Sequence, residues 1–352
     1  MDTFTHMALG ACIGQAIGYK KFGNKALIYG GLGALIPDLD VLLTPFADEF
    51  GGWKYHRHIT HSLLFGPLLG CLMGWGLWRH YGQQLGQLWT WIAIMVLSIF
   101  SHPLLDISTI YGTQFLAPFS NHRFELPAIS IIDPIYTMIL LTALFARGLF
   151  KNINTPKILA TTAITLSTCY ILYGLHLNNQ AEKIAASQLK IQNIEYSDIK
   201  AYTTIFQPFL RRVVVNEGDK LRVGFVSTFS PQPIFWGCQK QVGKDIQTAI
   251  LETEAGKVFD WFSIGNLSFS QGKAENQIIV TDARYGIPGD SLFGWWGQAY
   301  TITKNSDDQF VAIYNGKVQF ERDASLHAIK NLFRAAYGLE NDFMMTSDKD
   351  CS

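Results

Sequence analysis

LWTWIAIMVLSIFSHPLLDI, residues 88–107, carries no Asp, Glu, Lys or Arg until Asp106. A helix needs about 17 to 25 mainly apolar residues to cross a bilayer, so 88–105 reads as a membrane span. The polar exceptions fall at its end. His102 and Asp106 are four residues apart, which puts them one turn apart on a single helix face. An ionised side chain at the centre of a membrane helix costs about 2.5 to 3.5 kcal/mol even on the most lenient insertion scale, so something must compensate it. An imidazole and a carboxylate at this spacing can share a divalent metal. A hydrogen-bonded pair with a purely structural role is the competing reading.

Working outward, five more apolar stretches lie at 5–19, 26–37, 62–78, 132–147 and 157–176. The 352-residue chain is 48% hydrophobic and only 16% charged, against a usual charged share of about 25%, which marks a membrane protein. Polarity rises after Asn178, so the sequence predicts a transmembrane helical domain over 1–178 and a soluble α+β domain over 179–345. The formal net charge is +0, which gives no basic face for nucleic acid. The N-terminus lacks the pattern of a removable signal peptide, so the chain is expected to keep its start. Gly10, Gly14 and Gly18 repeat every fourth residue, a face for close helix packing. The stretch 26–37 is short and ends at Pro37, which suggests a half-length or re-entrant helix.

Basic residues in short loops set the orientation. Lys20, Lys21, Lys25, Arg79, Arg147, Lys151 and Lys157 all fall between spans on one side, which is therefore placed in the cytoplasm. Every titratable cluster then emerges on the opposite, outer face: His6, Asp38 and Asp40, the HRHITHS stretch at 56–62, and His102 with Asp106. The C-terminal domain is expected there too. Lys54 and Arg57 are cations on the outer side, and Arg57 reads as part of a site. His6 taken alone is either an interfacial polar group or a ligand; Asp38 and Asp40 either cap a turn after Pro37 or bind metal. Asp133 before Pro134 reads as a helix cap. His80, His122, His176 and His327 have no carboxylate at ligand spacing and stay outside the predicted site.

Several of these pieces recur together. MDTFTHMALG, GALIPDLDVL, HRHITHSLL, SHPLLDISTIYGTQFLAPFS with Arg123, and then FQPFLRRVVV, FDWFSIG and DARYG resemble the membrane-bound metal-dependent hydrolases of the bacterial inner membrane, the YdjM type. The similarity runs to about Gly286. The resemblance implies a multi-pass inner-membrane protein with a conjectured divalent-metal hydrolase site. It assigns motif positions to His56, Arg57, Thr60, His61 and Ser62, whereas His58 stands where the family usually has glycine. It also brings in Asp282 and Arg284 of DARYG as a possible lid.

The soluble part reads as an α+β domain outside the membrane. LRRVVVNEGDKLRVGFVST alternates about the turn-like NEGD as a hairpin does, NQIIVTDARYG and AYTITKNSDDQFVAIYNG read as strands, and GKDIQTAILET and DASLHAIKNLFRAAYG have helical spacing. Of five cysteines, Cys12, Cys71 and Cys169 sit in apolar segments as small hydrophobes, and Cys238 and Cys351 are candidates for a disulfide.

The functional expectation is a metal-dependent hydrolase. His56, His61, His102, Asp106 and one or both of Asp38 and Asp40, with His6, would hold zinc or manganese, which lowers the pKa of a bound water towards about 7. Whichever of Asp38 and Asp40 is not a ligand would take the proton. Arg57 or Arg123 would hold an anionic ester, since guanidinium pairs bidentately with phosphate. A site at the outer leaflet suits a phosphoester in a lipid or lipid-linked carrier. The rival is a non-enzymatic metal-binding membrane protein or transporter.

Overall fold

A computed structural model describes residues 1–150, 152–286, 294–320 and 325–340, so Lys151 and Cys351 lie outside the described residues. The chain divides into two compact units, Met1–Leu175 and His176–Ser352.

The first unit is helical. Helix α1 (Thr3–Phe22) is capped by Asp2, whose carboxylate accepts from Thr5 N at 2.9 Å. Gly23, at φ 57°, turns the chain into α2 (Asn24–Leu35). The two helices touch backbone to backbone: a Cβ on Gly10 would lie 2.3 Å from the Gly30 carbonyl oxygen, and one on Gly14 would lie 2.0 Å from that of Ala26. The glycine repeat read from the sequence is thus the seam of this pair.

Pro37 ends α2, as expected, but the apolar segment does not end there. A 3-10 helix continues it over Pro37–Phe46, and Asn24–Phe46 together is long and apolar enough to cross a membrane. The apolar run is therefore longer than the 26–37 read from the sequence, and Pro37 changes the helix type within it.

A short helix α3 (Gly51–Lys54) and a 3-10 turn at Ile59–His61 lead into α4 (Phe65–Tyr81). Helix α4 packs on α5 (Leu85–Ile107) through Gly66, Gly70 and Gly74, where added Cβ atoms would meet Phe100, Val96 and Ile92 of α5 at 2.5 to 3.0 Å. An irregular segment tied by a bridge between Thr113 and Phe124 follows. Helix α6 (Pro134–Ala146) has Asp133 as its cap and Pro134 in its first turn, and α7 runs over Thr155–Ile191.

Among the described residues three helical segments are long and apolar enough to cross a membrane, or up to four when the bent pair Gly51–His61 and Phe65–Tyr81 counts as one. Helix α1 is not among them, and α6 falls in a shorter apolar helix, Pro134–Leu149. The two pack together: Ala8, Leu9 and Cys12 of α1 share a buried cluster with Tyr136, Leu140 and Ala143 of α6.

Among the described residues the second unit holds two four-stranded antiparallel sheets, each a meander. The first contains β1 (Asp198–Thr203), β2 (Leu210–Asn216), β3 (Lys220–Ser227) and β4 (Trp236–Lys240). NEGD makes the β2–β3 turn with Gly218 at φ 92°, as its composition predicts. The C-terminal part of α7 covers this sheet, with Ala181, Ala185 and Leu189 buried against Ala201, Val213 and Val226. Helices α8 (Lys244–Glu252) and α9 (Glu254–Ser263) precede the second sheet. That sheet contains β5 (Leu267–Gln271), β6 (Gln277–Asp282), β7 (Trp296–Lys304) and β8 (Phe310–Gln319), and α10 (Leu326–Ala336) follows. Cys238 is disulfide-bonded; its expected partner, Cys351, lies outside the described residues.

Candidate metal centre

Three chain segments converge at one end of the helical unit. Asp38 comes from the first turn of the 3-10 helix after α2, His61 from the turn before α4, and His102 and Asp106 from the end of α5. One ligand atom from each of the four lies within 4.8 Å of the others.

Their spacing is informative. His61 Nε2 is 3.1 Å from His102 Nε2. Asp38 Oδ1 lies 3.6 Å from His61 Nε2 and 3.3 Å from His102 Nε2, and Asp106 Oδ2 lies 3.3 Å and 3.4 Å from the same two atoms. Bonds of about 2.0 to 2.1 Å to a tetrahedral zinc place neighbouring ligand atoms about 3.3 Å apart. A hydrogen bond from a ring nitrogen to a carboxylate would be near 2.8 to 3.0 Å. The imidazole–carboxylate distances match the edges of a ligand shell better than they match hydrogen bonds.

The outer nitrogens point the same way. His102 Nδ1 is 2.6 Å from the Ala34 carbonyl oxygen, which can only accept, so Nδ1 carries the proton. Thr60 Oγ1 donates to Asp40 Oδ2 at 2.9 Å and lies 3.0 Å from His61 Nδ1, so this Nδ1–H also points at an acceptor. With each ring neutral, as a metal ligand must be, both would turn an unprotonated Nε2 lone pair towards the same point. Asp106 Oδ2, buried beside them, receives no hydrogen bond. Two lone pairs and two carboxylate oxygens facing one another repel unless a cation sits among them. The donor set of two imidazoles and two carboxylates suits zinc, manganese or iron.

The remaining predicted residues surround this group. Asp40, 4% exposed, takes His56 Nδ1 at 2.8 Å on Oδ1 and Arg57 N at 3.0 Å on Oδ2, besides Thr60. It orients His61 and ties down the HRHITHS turn, an arrangement that holds a metal-binding ring in one tautomer. Its oxygens are already engaged, so it is poorly placed to accept a proton from a water. His56 contacts Asp40 and lies outside the four-residue group. His6 also lies outside it: its ring stacks on His102 with centroids 3.5 Å apart, and its Nε2 is 3.2 Å from Asp106 Oδ1.

The two arginines are committed inside the protein. Arg57 Nη2 is 2.9 Å from Asp106 Oδ1, which also meets the Met1 amino group at 2.6 Å. Arg123 donates to the carbonyl oxygens of Trp53, Tyr111 and Gly112 at 3.3, 2.9 and 2.9 Å. Both guanidinium groups lie over the Tyr111 ring, at 4.5 Å and 5.2 Å from its centroid. Each is buried and braces the loops around the centre. Tyr111 was missed in the sequence, where a single tyrosine in a loop gives no signal.

Asp282 and Arg284 are in the second unit, both buried. Arg284 Nη2 is 2.6 Å from Asp282 Oδ2 and donates to the Phe262 carbonyl oxygen at 2.8 Å, so the pair is spent on itself and on α9. Burial lowers the pKa of the neighbouring Arg212 guanidinium, and Asp282 opposes that shift.

Apolar helices around a two-His, two-Asp group, three of the four buried, define a membrane protein with a possible metal-binding centre. The chain belongs to the YdjM inner membrane protein family, whose model matches residues 1–181 and so includes every residue of the centre. It is 37% identical over 128 residues to "Inner membrane protein YbcI" of Escherichia coli (strain K12), covering 35% of this chain and 70% of that one. It is 28% identical over 185 residues to "Uncharacterized protein YfhP" of Bacillus subtilis (strain 168), covering 50% of this chain and 53% of the relative. No solved structure matches.

Proposed function

We propose that this protein is a metal-dependent hydrolase of the inner membrane, with Asp38, His61, His102 and Asp106 holding one divalent ion. The observation that carries the reading is the geometry of the four ligand atoms. Five of their six separations are 3.1 to 3.6 Å, and the sixth, between Asp38 and Asp106, is within 4.8 Å. That pattern fits a tetrahedron. Manganese or iron held by these four residues would accept further ligands beside them. A catalytic ion needs an open position, so the hydrolase reading requires more than four-fold coordination, as manganese accepts. When bound, the ion supplies a Lewis acid for a water or an ester oxygen.

The chain's own residues set the approach. The Asp38 side chain is 22% exposed, whereas those of His61, His102 and Asp106 are at most 1% exposed, so a substrate reaches the centre past Asp38. Leu39, Leu42 and Leu43, next along the 3-10 helix, are more than half exposed. An amphiphile with its ester at the surface and its chain in lipid fits that entrance, which favours a lipid or lipid-linked phosphoester. With Arg57 and Arg123 engaged internally, the anion would be met by the metal itself. The basic residues at the opposite helix ends support a centre and a C-terminal unit on the outer side of the membrane.

The second reading is a non-enzymatic metal-binding protein, favoured by the fact that four protein ligands would close a tetrahedral zinc site. Purified full-length protein loaded with manganese or with zinc, assayed on a generic phosphodiester and on lipid extracts beside His102→Ala, separates the two. Turnover that needs the metal and vanishes in His102→Ala supports the enzyme. Stoichiometric metal with no turnover under either ion supports the closed site.

A further inference from the structure

One end of the first sheet in the second unit is aromatic and uncharged. No Asp, Glu, Lys or Arg occurs between Lys200 and Arg211, or between Arg222 and Lys240, and these stretches include the β1–β2 and β3–β4 loops. The loops are joined: Thr228 N and Oγ1 both donate to the Phe209 carbonyl oxygen at 2.9 Å. Gln207 Oε1 accepts from Phe209 N and Leu210 N at 2.7 Å, which fixes the first loop from within. Ser227 Oγ donates to the carbonyl oxygen of Ala336 at 2.6 Å and brings in the end of α10.

On this base Phe209, Phe229 and Tyr337 form a triangle of rings with centroids 5.3 to 5.7 Å apart. Phe229 is 59% exposed, Leu339 54% and Tyr337 39%. Such large apolar side chains, held rigidly in the open, mark a contact surface.

Helix α7 tells what they meet. Its apolar stretch ends near Leu177, and Asn178, Asn179, Gln180 and Glu182 follow. The Glu182 carboxylate accepts from Ala201 N at 3.0 Å, and Ala201 pairs with Val213. Arg211 Nη1 donates to Asn178 Oδ1 at 2.8 Å, so lower numbers on β2 lie beside lower numbers on α7. From Val213 to Phe209 the strand advances about 13 Å. From Glu182 to Leu177 the helix advances about 7 Å. Phe209 and the rings on it therefore reach at least the level where α7 turns apolar.

We propose that this aromatic tip rests in the headgroup layer of the bilayer that α7 enters, so that the second unit is seated on the membrane as well as tethered to it. Aromatic side chains favour that layer. Neither loop carries a charge, so their part of the contact is apolar and insensitive to salt, and Arg334 and Glu340 lie at its edge beside Leu339. It is independent of the hydrolase reading.

The test is nitroxide accessibility in full-length protein carrying Cys71→Ser and Cys169→Ser, reconstituted in nanodiscs of phosphatidylethanolamine and phosphatidylglycerol. Labels are placed at Phe229→Cys, at Leu339→Cys as a second position should the first variant fail to fold, and at Asp219→Cys in the exposed turn at the far end of the sheet. The proposal predicts an oxygen-to-nickel-chelate accessibility ratio several-fold higher at 229 and 339 than at 219, unchanged by added salt. Equal ratios at the tip and at 219 would overturn it, because the tip would be in water. Exclusion of both reagents at the tip would overturn it too, since protein rather than lipid would cover it.

Discussion

Two buried carboxylates, one in each unit, are treated in opposite ways. Asp282 is closed off by Arg284, whose guanidinium meets both its oxygens, so the pair is complete within the chain. Asp106 is only half answered: Oδ1 meets Arg57, His6 and the Met1 amine, while Oδ2 faces two imidazole nitrogens and receives no hydrogen bond. Asp38 adds a second carboxylate to that open side. Burial of charge alone therefore does not mark a site. What separates a structural pair from a candidate centre is whether a carboxylate oxygen is left without a hydrogen bond beside other ligand atoms, as Asp106 Oδ2 is and the oxygens of Asp282 are not.

The comparison can be broken by substitution. Asp282→Ala should have the largest effect, since it strands Arg284 in the interior; a loss of about 3 to 5 kcal/mol is expected. Limited proteolysis should show the second unit opening while bound metal is unchanged. Next comes chelation. If an ion occupies the centre at about a hundred times its Kd, its removal costs about 2.7 kcal/mol. Thermal unfolding of the wild type should shift down on adding chelator, and that of His102→Ala should not move.

Asp40→Asn sharpens the comparison further, because Asp40 supports the centre from outside, through Thr60, His61 and the backbone of Arg57. Loss of such a partner typically weakens metal binding about 10- to 100-fold, which competition with a metallochromic dye would read. The smallest effect is expected at His58, half-buried and tied to the four-residue group through its backbone, where its carbonyl oxygen accepts from His61 N at 3.0 Å, a bond that glycine keeps. His58→Gly should change metal affinity negligibly and stability by about 1 kcal/mol or less.

Parts of this arrangement were legible in the sequence for simple reasons. Four-residue spacing on a helix fixed His102 over Asp106, Asp-Pro gave the α6 cap, and NEGD gave a hairpin. The choice between Asp38 and Asp40 was not legible. The 3-10 helix that carries them has about three residues per turn, so side chains two apart point about 120° from each other. That helix continues past a proline which normally ends an apolar segment. His56 and His61 looked equivalent as motif histidines; only the fold turns one to the centre and the other to Asp40. The arginines misled because a guanidinium that braces carbonyls is the same letter as one that binds phosphate. The α4 glycines went unread beside the more obvious repeat in α1, although Gly66, Gly70 and Gly74 have the same four-residue spacing.

The central claim is that Asp38, His61, His102 and Asp106 hold a metal ion, and elemental analysis of purified full-length protein beside His102→Ala tests it most directly. About one ion per chain in the wild type, lost in a His102→Ala protein that still extracts as a folded monodisperse species, is the predicted result. A wild type free of metal after growth and purification with zinc and manganese present, or a His102→Ala protein retaining the same stoichiometry, would contradict it.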